Sequence, residues 1–247
     1  MNIYNAKEIE KIKKSAQLTK KVLDLAESLV DVNVSTKTID DEVLKFIRAN
    51  NAKPAFLGYM GYPASVCISV NEEVVHGIPL KHKRLRDGDI VSFDTGTIVD
   101  GFYGDAARTL PVGTVSKTAQ RLIDVTKKSL ELGIEQAKPG NRVGDIGAAI
   151  QSYVESQGFS VVRDFVGHCL GKALHEDPQI PNYGMAGTGP RLKPGMVLAI
   201  EPMINEGSYQ VRVLSDKWTA VTFDGKLSAH FEHDVAILSD GPEILSN

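Results

Sequence analysis

Four acidic residues occupy segments of the sequence that otherwise have the pattern of β-strands. Asp94 and Asp105 lie in the two arms of "FDTGTIVDGFYGDAARTL", Glu201 lies in "MVLAIEPMI", and Glu232 lies in "AHFEHDVAI". Carboxylates are uncommon in strand interiors and costly to bury without a partner. A single acidic residue in a strand usually faces solvent, but four that converge in an interior need either protons or cations to neutralise them.

Divalent metal ions are the counter-charge that this set favours. Two such ions balance four carboxylates, and His168, in "VGHCLG", adds one nitrogen ligand. A mixed oxygen and nitrogen set favours Mn, Fe, Co or Zn over Ca or Mg. Two such ions can share a water of lowered pKa that attacks a carbonyl, so the residues predict a dinuclear hydrolytic site.

The elements that must position these residues form two similar series. The apolar pattern predicts a helix that begins after Asn5, with a capping box completed by Glu8, and a second helix after Ser35. A further pair of helices is predicted after Ser116 and around residues 146–154. Strand-like segments follow each pair, so the order helix–helix–sheet occurs twice.

An internal repeat relates the two series. A shift of 107 residues aligns the apolar positions of the helices, and the same shift takes Asp94 to Glu201. A shift shared by helices and an acidic strand residue indicates a duplicated unit. We therefore expect an α+β fold in one domain, residues 1–247, with pseudo-symmetric halves of roughly 5–115 and 116–240. The halves would form a curved antiparallel sheet with helices on its outer face.

Composition limits the class of protein. The 247 residues are 42% hydrophobic and 24% charged, as in ordinary globular chains, and the net charge of −3 gives no basis for binding nucleic acid or membrane. The polar N-terminus and the lack of a long apolar run predict neither a signal peptide nor a transmembrane helix. The chain begins almost at its first helix, so no N-terminal extension is expected. Two separated cysteines, Cys67 and Cys169, are expected to be reduced thiols of a cytoplasmic monomer.

Five motifs support a sharper interpretation. In chain order they are "SVNEEVVHGIP", "FDTGTIVDGFYGDAARTL", "GHCLGKALHEDPQIPNYG", "MVLAIEPMI" and "LSAHFEHDVAI". In order and spacing they resemble those of the type I methionine aminopeptidases, in the pita-bread (M24-like) metallopeptidase family, over essentially the whole chain. The resemblance implies the pita-bread fold and a hydrolase that removes the initiator methionine of nascent proteins, preferentially when the second residue is small. Its cofactors would be two divalent ions (Co, Mn, Fe, Zn or Ni) that activate a hydroxide to attack the scissile carbonyl.

The resemblance also implies a role for each residue of the site. Asp94 would chelate one ion, Asp105 and Glu232 would bridge both ions, and His168 and Glu201 would complete the shell of the other. Glu201 would in addition pass a proton to the leaving amine as a general acid and base.

Two further histidines are assigned by the same resemblance. These are His76, in "VVHGIP", and His175, in "ALHEDP". One of the two would contact the substrate backbone beyond the scissile bond, and the other would help to stabilise the developing oxyanion. A lone histidine is more often structural, but the two similar motifs in the two halves favour a catalytic role. By contrast, His230 and His233 flank Glu232, and strand alternation is expected to direct both away from it unless the strand contains a bulge.

The resemblance further predicts two binding sites. An apolar pocket for the methionine side chain would include Tyr59, Tyr62, Cys67 and Trp218. A Na or K ion would lie near Asn71 and Ser228, held mostly by backbone carbonyls.

One position departs from the family. Cys169 follows His168 where the family usually has glycine. Its thiol would either pack in the interior or lie near the metals and make the enzyme sensitive to oxidation.

Two other functions remain open from the sequence. One is a proline-directed aminopeptidase or dipeptidase of the same fold, although those relatives generally carry an additional N-terminal domain. The other is a non-enzymatic binding module, which the retention of all five candidate ligands disfavours. The expected partners are nascent polypeptides with N-terminal methionine, and transient contact with the ribosome is left open.

Overall fold

The computed structural model describes residues 2–247, which form helices and strands in the predicted order. The helices are α1 (Ala6–Ser28), α2 (Thr36–Ala49), α3 (Lys117–Gln136) and α4 (Val143–Ser156). The strands are β1 (Lys53–Pro54), β2 (Val66–Val70), β3 (Glu73–Val75), β4 (Ile90–Val99), β5 (Phe102–Pro111), β6 (Ser160–Val161), β7 (Gly167–Cys169), β8 (Glu176–Ile180), β9 (Val197–Ile200), β10 (Met203–Asn205), β11 (Val211–Val213), β12 (Ala220–Thr222), β13 (Ser228–His230), β14 (Glu232–Ile237) and β15 (Pro242–Ile244).

A nine-stranded antiparallel sheet joins the two halves of the chain. Its strands follow the order β1-β4-β5-β14-β9-β7-β8, while β2 pairs with β4 and β15 pairs with β14. Strand β5 of the first half pairs with β14 of the second half. Two three-stranded sheets, β13-β10-β6 and β11-β12-β3, lie beside it.

The two helix pairs cover the two halves of the main sheet. Ile39 and Val43 of α2 pack in one core cluster with Phe93 of β4. Ile146 and Ile150 of α4 pack in another with strands β9 and β14. All five of these aliphatic and aromatic side chains are fully buried. Each such burial stabilises the fold by roughly 2–3 kcal/mol, before the loss of chain entropy.

The helix starts follow local capping chemistry. The Asn5 side chain accepts a hydrogen bond from the Glu8 N–H at 3.1 Å, and the Glu8 carboxylate accepts one from the Asn5 N–H at 3.2 Å. Ser35 and Ser116 cap α2 and α3 in the same manner with their hydroxyls. These caps satisfy N–H groups that have no partner inside the helix. The predicted helix starts at these positions are therefore confirmed.

The spacing of the second helices matches the sequence repeat. Helices α2 and α4 each contain 14 residues and begin at residues 36 and 143, so their starts differ by 107. The same difference separates Asp94 in β4 from Glu201, which directly follows β9. Each half thus supplies one acidic residue, and the two positions are related by the same shift as the helices.

The β4–β5 hairpin has a two-residue turn. Asp100 and Gly101 have φ values of 51° and 79°, and Val99 pairs with Phe102 on either side of them. Two consecutive left-handed residues form the turn whose twist suits a hairpin, and Asp-Gly is a preferred sequence for it. The turn fixes the register, which places Asp94 opposite Ala107 and Gly96 opposite Asp105. Within residues 2–247, no helix is long and apolar enough to cross a membrane.

Candidate metal centre

Strand register brings three of the acidic residues to one face of the sheet. Asp94 is opposite Ala107, and Glu232 is opposite Ala107 from the other side. Directly paired residues share a face, and so do residues two apart on one strand. Asp105, two residues before Ala107, therefore lies on the same face as Asp94 and Glu232. The pairing of β5 with β4 and with β14 therefore brings these three carboxylates close together.

The other half of the chain contributes the remaining donors by the same rule. His168 of β7 is opposite Ala199 of β9, and Ala199 is opposite Asp234 of β14. Glu201 lies two residues after Ala199, and Glu232 two residues before Asp234. All of these side chains therefore share the face that carries Asp94 and Asp105.

The side chains meet in a buried cluster. Ligand atoms of Asp105, His168 and Glu232 all lie within 4.8 Å of one another. His168 Nε2 lies 3.5 Å from Glu201 Oε1. Asp105, His168 and Glu232 are buried, while Asp94 and Glu201 are slightly more open and line the cavity described below.

Burial opposes the ionisation of every carboxyl group in the cluster. It raises the pKa of Asp94 to about 7 and that of Glu201 to about 8. The pKa values of Asp105 and Glu232 lie well above the ordinary carboxyl value, because burial and the neighbouring carboxylates both disfavour the charged form. Burial lowers the pKa of His168 to about 3, so its imidazole is neutral and free to act as a ligand at neutral pH. No lysine or arginine is among the residues that line the cavity beside this set.

The donor set fits divalent metal ions. Asp105 Oδ1 and Glu232 Oε1 are buried, and neither has a hydrogen-bond partner among the described residues. Buried polar atoms are normally paired, and an ion is one of the partners that explains an exception. Carboxylate oxygens and one neutral imidazole are ligands of Mn, Fe, Co and Zn.

A cavity of about 220 Å³ opens onto the cluster. Its lining contains the five predicted ligands, the predicted catalytic histidines and the predicted pocket residues: Asp94, Asp105, His168, Glu201, Glu232, His76, His175, Tyr59, Tyr62, Cys67 and Trp218. The structure thus brings together every residue predicted for the metal, catalytic and methionine-binding sites. Asn71 and Ser228 are not part of this lining.

The two predicted catalytic histidines stand at different places on the cavity wall. The His175 ring lies 4.4 Å from that of His168, and His175 Nδ1 shares a hydrogen bond of 2.7 Å with the Tyr59 hydroxyl. The His76 ring contacts Phe165 and Trp218 edge to face, with centroids 5.4 and 6.2 Å apart. Burial lowers the pKa of His76 to about 4 and also lowers that of His175, so both are neutral at pH 7.

The remaining wall of the cavity is apolar and aromatic. Tyr62 and Trp218 pack edge to face with centroids 5.1 Å apart, and Cys67 and Leu174 belong to the same cluster. Cys67 pairs with Asp94 across β2 and β4, which places the apolar wall directly beside the carboxylates. This arrangement suits an apolar side chain whose attached polar group reaches the cluster.

Two buried polar residues of the centre were not predicted from the sequence. Asp234 Oδ2 accepts a hydrogen bond of 2.7 Å from the Asp105 N–H, and burial raises the pKa of Asp234 well above its ordinary value. His230 Nε2 lies 3.6 Å from Glu201 Oε2. The expectation that His230 lies away from the acidic cluster is wrong. A separation of two residues from Glu232 could have indicated a shared face.

The other unassigned positions lie away from the cavity. His233 Nδ1 hydrogen-bonds Ser246 Oγ at 2.8 Å in a cleft on the outer, helix-covered side of the sheet. Cys169 is buried in the apolar core beside α3 and α4, and burial raises its pKa to about 12. Of the two alternatives for Cys169, packing in the interior is the one observed. The Ser228 N–H donates to the Asn71 carbonyl at 2.9 Å, so the two residues are adjacent, and the monovalent cation there stays a prediction.

Comparison with known proteins decides the family. The model of metallopeptidase family M24 matches residues 10–239. The chain belongs to metallopeptidase family M24. Among M24 relatives, methionine aminopeptidase A of Synechocystis sp. is 52% identical over 246 residues, which cover 100% of this chain and 97% of that protein. The crystal structure of methionine aminopeptidase from Thermotoga maritima has a TM-score of 0.98 and 48% identity, and covers 100% of this chain and 99% of that one.

A solved structure of much lower sequence identity shares the fold. The prolidase of Pyrococcus horikoshii has a TM-score of 0.81 at 22% identity, and its match covers 99% of this chain but 63% of that one. This likeness concerns the fold alone. The predicted pita-bread fold and the predicted resemblance to methionine aminopeptidases are confirmed. Membership of the family and the buried Asp, His and Glu cluster together indicate divalent metal binding.

Proposed function

We propose that this metallopeptidase removes the initiator methionine from nascent polypeptides, preferentially when the second residue is small. The observation that carries the proposal is a single cavity in which an apolar, aromatic wall adjoins the five predicted metal ligands, three of which are buried. The wall suits a methionine side chain, and the cluster suits the α-amino group and first carbonyl attached to it. High identity to proteins named methionine aminopeptidase supports the same substrate.

The residues of the chain have separate tasks in this reaction. Tyr62, Trp218 and Cys67 would hold the methionine side chain against the apolar wall. His175 would donate a hydrogen bond to the oxygen that gains negative charge, and Tyr59, already bonded to its Nδ1, would fix the orientation of its ring. His76, between Phe165 and Trp218, would contact the substrate backbone beyond the scissile bond.

The acidic residues would bind the ions and transfer the proton. We propose two ions, with Asp94 on one, Asp105 and Glu232 shared by both, and His168 and Glu201 on the other. Divalent ions bound there would supply a water of lowered pKa and polarise the scissile carbonyl. Burial raises the pKa of Glu201 to about 8, so this carboxylate is suited to take a proton and deliver it to the leaving amine.

The setting of the reaction follows from the substrate. Nascent chains are made in the cytoplasm, and we place the protein there as a monomer. We also propose the Na or K ion near Asn71 and Ser228. The physiological divalent ion would be decided by availability, since the donor set suits Co, Mn, Fe, Zn and Ni.

Turnover of short peptides tests the proposal. Protein purified without chelators and loaded with each candidate ion should release methionine from Met-Ala-Ser and leave Ala-Pro peptides intact. Glu201→Gln should abolish release while far-UV circular dichroism stays unchanged. If the metal-loaded wild-type protein releases no methionine with any ion, the proposed function is wrong. If Glu201→Gln retains full activity, Glu201 has no part in the reaction.

A further inference from the structure

We infer that His230 is a positioning residue of the metal centre, which donates a hydrogen bond from its imidazole to Glu201 and holds that carboxylate in its ligating orientation. The inference rests on the metal centre proposed above. It assigns a sixth side chain, outside the predicted ligand set, to the function of the centre.

The burial of His230 and its lack of partners are the first observations. Only 1% of the residue is exposed, and neither Nδ1 nor Nε2 has a hydrogen-bond partner among the described residues. A buried imidazole carries one N–H that costs free energy if it stays unpaired. The nearby acceptor is Glu201 Oε2, 3.6 Å from His230 Nε2 and just beyond hydrogen-bond range.

Glu201 lies between two histidines. Its Oε1 is 3.5 Å from His168 Nε2, and its Oε2 is 3.6 Å from His230 Nε2. His168 lines the cavity, whereas His230 does not. A carboxylate that gives one oxygen to the ion site and the other to an N–H donor is held against rotation. Such outer hydrogen bonds commonly orient metal ligands.

The backbone at His230 is held firmly enough to serve this purpose. The His230 N–H donates to Thr109 Oγ1 at 2.8 Å, and the Thr109 hydroxyl donates to the His230 carbonyl at 2.8 Å. Ser92 Oγ lies 2.8 Å from the same Thr109 oxygen. The cross-strand partner of His230 is Met203, which lines the cavity, so the imidazole stands on the cavity side of the β10–β13 pair. A rigid strand thus presents the ring to Glu201.

Three substitutions separate a donor role from mere filling of space. His230→Leu removes both nitrogens, His230→Gln places an amide N–H near the position of Nε2, and His230→Asn places it near the position of Nδ1. Isothermal titration of the metal-free full-length proteins with MnCl₂ measures the affinity for the ion. We expect His230→Leu and His230→Asn to bind Mn²⁺ about 10–100-fold more weakly than wild type, and His230→Gln to remain within about threefold.

Two further measurements complete the test. The visible spectrum of the cobalt-loaded protein should be retained in His230→Gln and altered in His230→Leu. With a methionyl peptide, His230→Leu should lower kcat and leave KM within about threefold, because the ring does not line the cavity. Thermal denaturation of the metal-free variants identifies any that fail to fold. If His230→Leu fails to fold, the Mn²⁺ affinities of His230→Gln and His230→Asn decide whether His230 acts as a donor.

The outcomes are distinguishable. If wild type binds Mn²⁺ and His230→Leu binds it equally tightly, the assignment of His230 is overturned while the centre stands. If His230→Gln binds Mn²⁺ as weakly as His230→Asn does, the inference that Nε2 donates the hydrogen bond to Glu201 is wrong. If wild type itself binds neither Mn²⁺ nor Co²⁺, the metal centre fails and the assignment fails with it.

Discussion

Raising the pH should destabilise the metal-free protein, because folding forces buried carboxyl groups to give up their solvent. Their pKa values in the folded protein are about 7 for Asp94 and about 8 for Glu201, and those of Asp105, Glu232 and Asp234 are higher than ordinary by a wide margin. A carboxyl group whose pKa is raised by folding stabilises the fold at low pH. That contribution is lost as the pH rises from the unfolded value through the folded one.

The size of the loss follows from these pKa values. Between pH 7.0 and 8.5, titration of Asp94 and Glu201 should lower the free energy of unfolding by about 2 kcal/mol together. Each of the other three carboxyl groups adds at most about 2 kcal/mol over the same interval. The histidines act in the opposite direction, since burial lowers their pKa values, but they are mostly neutral in both states above pH 7 and recover less than about 1 kcal/mol. The net loss is therefore at least about 1 kcal/mol and reaches several kcal/mol if all five groups titrate.

Denaturation with urea at pH 7.0 and pH 8.5, in metal-free buffer, measures this loss. Saturation with Mn²⁺ should remove most of it, because bound carboxylates are ionised at both pH values, so the ion should stabilise the protein more at pH 8.5. Glu201→Gln, which keeps the shape and removes the titrating group, should reduce the loss by about 1 kcal/mol. A metal-free protein that is equally stable or more stable at pH 8.5 would refute the account of the centre as a cluster held together by protons or ions.

Three other substitutions test the packing around the site. Gly104→Ala should lower the free energy of unfolding, measured by urea denaturation, by about 3 kcal/mol. The added Cβ would lie 2.3 Å from the backbone nitrogen of Ala16 in α1. A loss below about 0.5 kcal/mol would show that α1 can move away from the sheet. Trp218→Ala should raise KM for a methionyl peptide about tenfold with little change in kcat, because it removes a wall of the pocket rather than a group at the ions; an unchanged KM would place the methionine side chain elsewhere. Cys169→Gly should leave the rate of inactivation by peroxide unchanged, because the buried thiol has a raised pKa and is seldom present as the oxidisable thiolate. If the variant resists peroxide better than wild type, the thiol lies close enough to the centre to affect it.

The sequence predicted most of the elements because their signals are local. Helix caps at Asn5, Ser35 and Ser116 depend on side chains within three residues of the first turn. The β4–β5 hairpin depends on an Asp-Gly pair between two alternating segments, and that pair determines the register of Asp94 and Asp105. Strand alternation, which is also local, then indicated which side chains share a face.

The acidic residues of the candidate centre could be found in the sequence for a different reason. Asp94, Asp105, Glu201 and Glu232 are anomalous in their own segments, since each is a carboxylate among residues that favour burial. Such an anomaly is visible without knowledge of its partners, because the cost of burying a charge belongs to the residue and its immediate surroundings. The shift of 107 residues added the expectation that Asp94 and Glu201 meet.

His230 shows where sequence reasoning ended. The separation of two residues between His230 and Glu232 is consistent with a shared face. However, the chain passes from β13 to β14 at Phe231 and changes its pairing partner from β10 to β5 and β9, so alternation along "AHFEH" could not identify the residue that His230 contacts. Its neighbour Glu201 is 29 residues away in sequence, as the two residue numbers show. The same holds for Asp234, whose carboxylate accepts the N–H of Asp105 on a strand from the other half.

By itself, the sequence determined which residues are chemically unusual, where the chain turns and which faces of its helices and strands are apolar. The tertiary structure alone decided the distances among donors from both halves, the burial that shifts their pKa values and the placement of His230 behind Glu201. Caps, turns and periodicity arise from interactions within a few residues. The candidate metal centre arises from pairing between distant strands, and only the assembled sheet specifies that pairing.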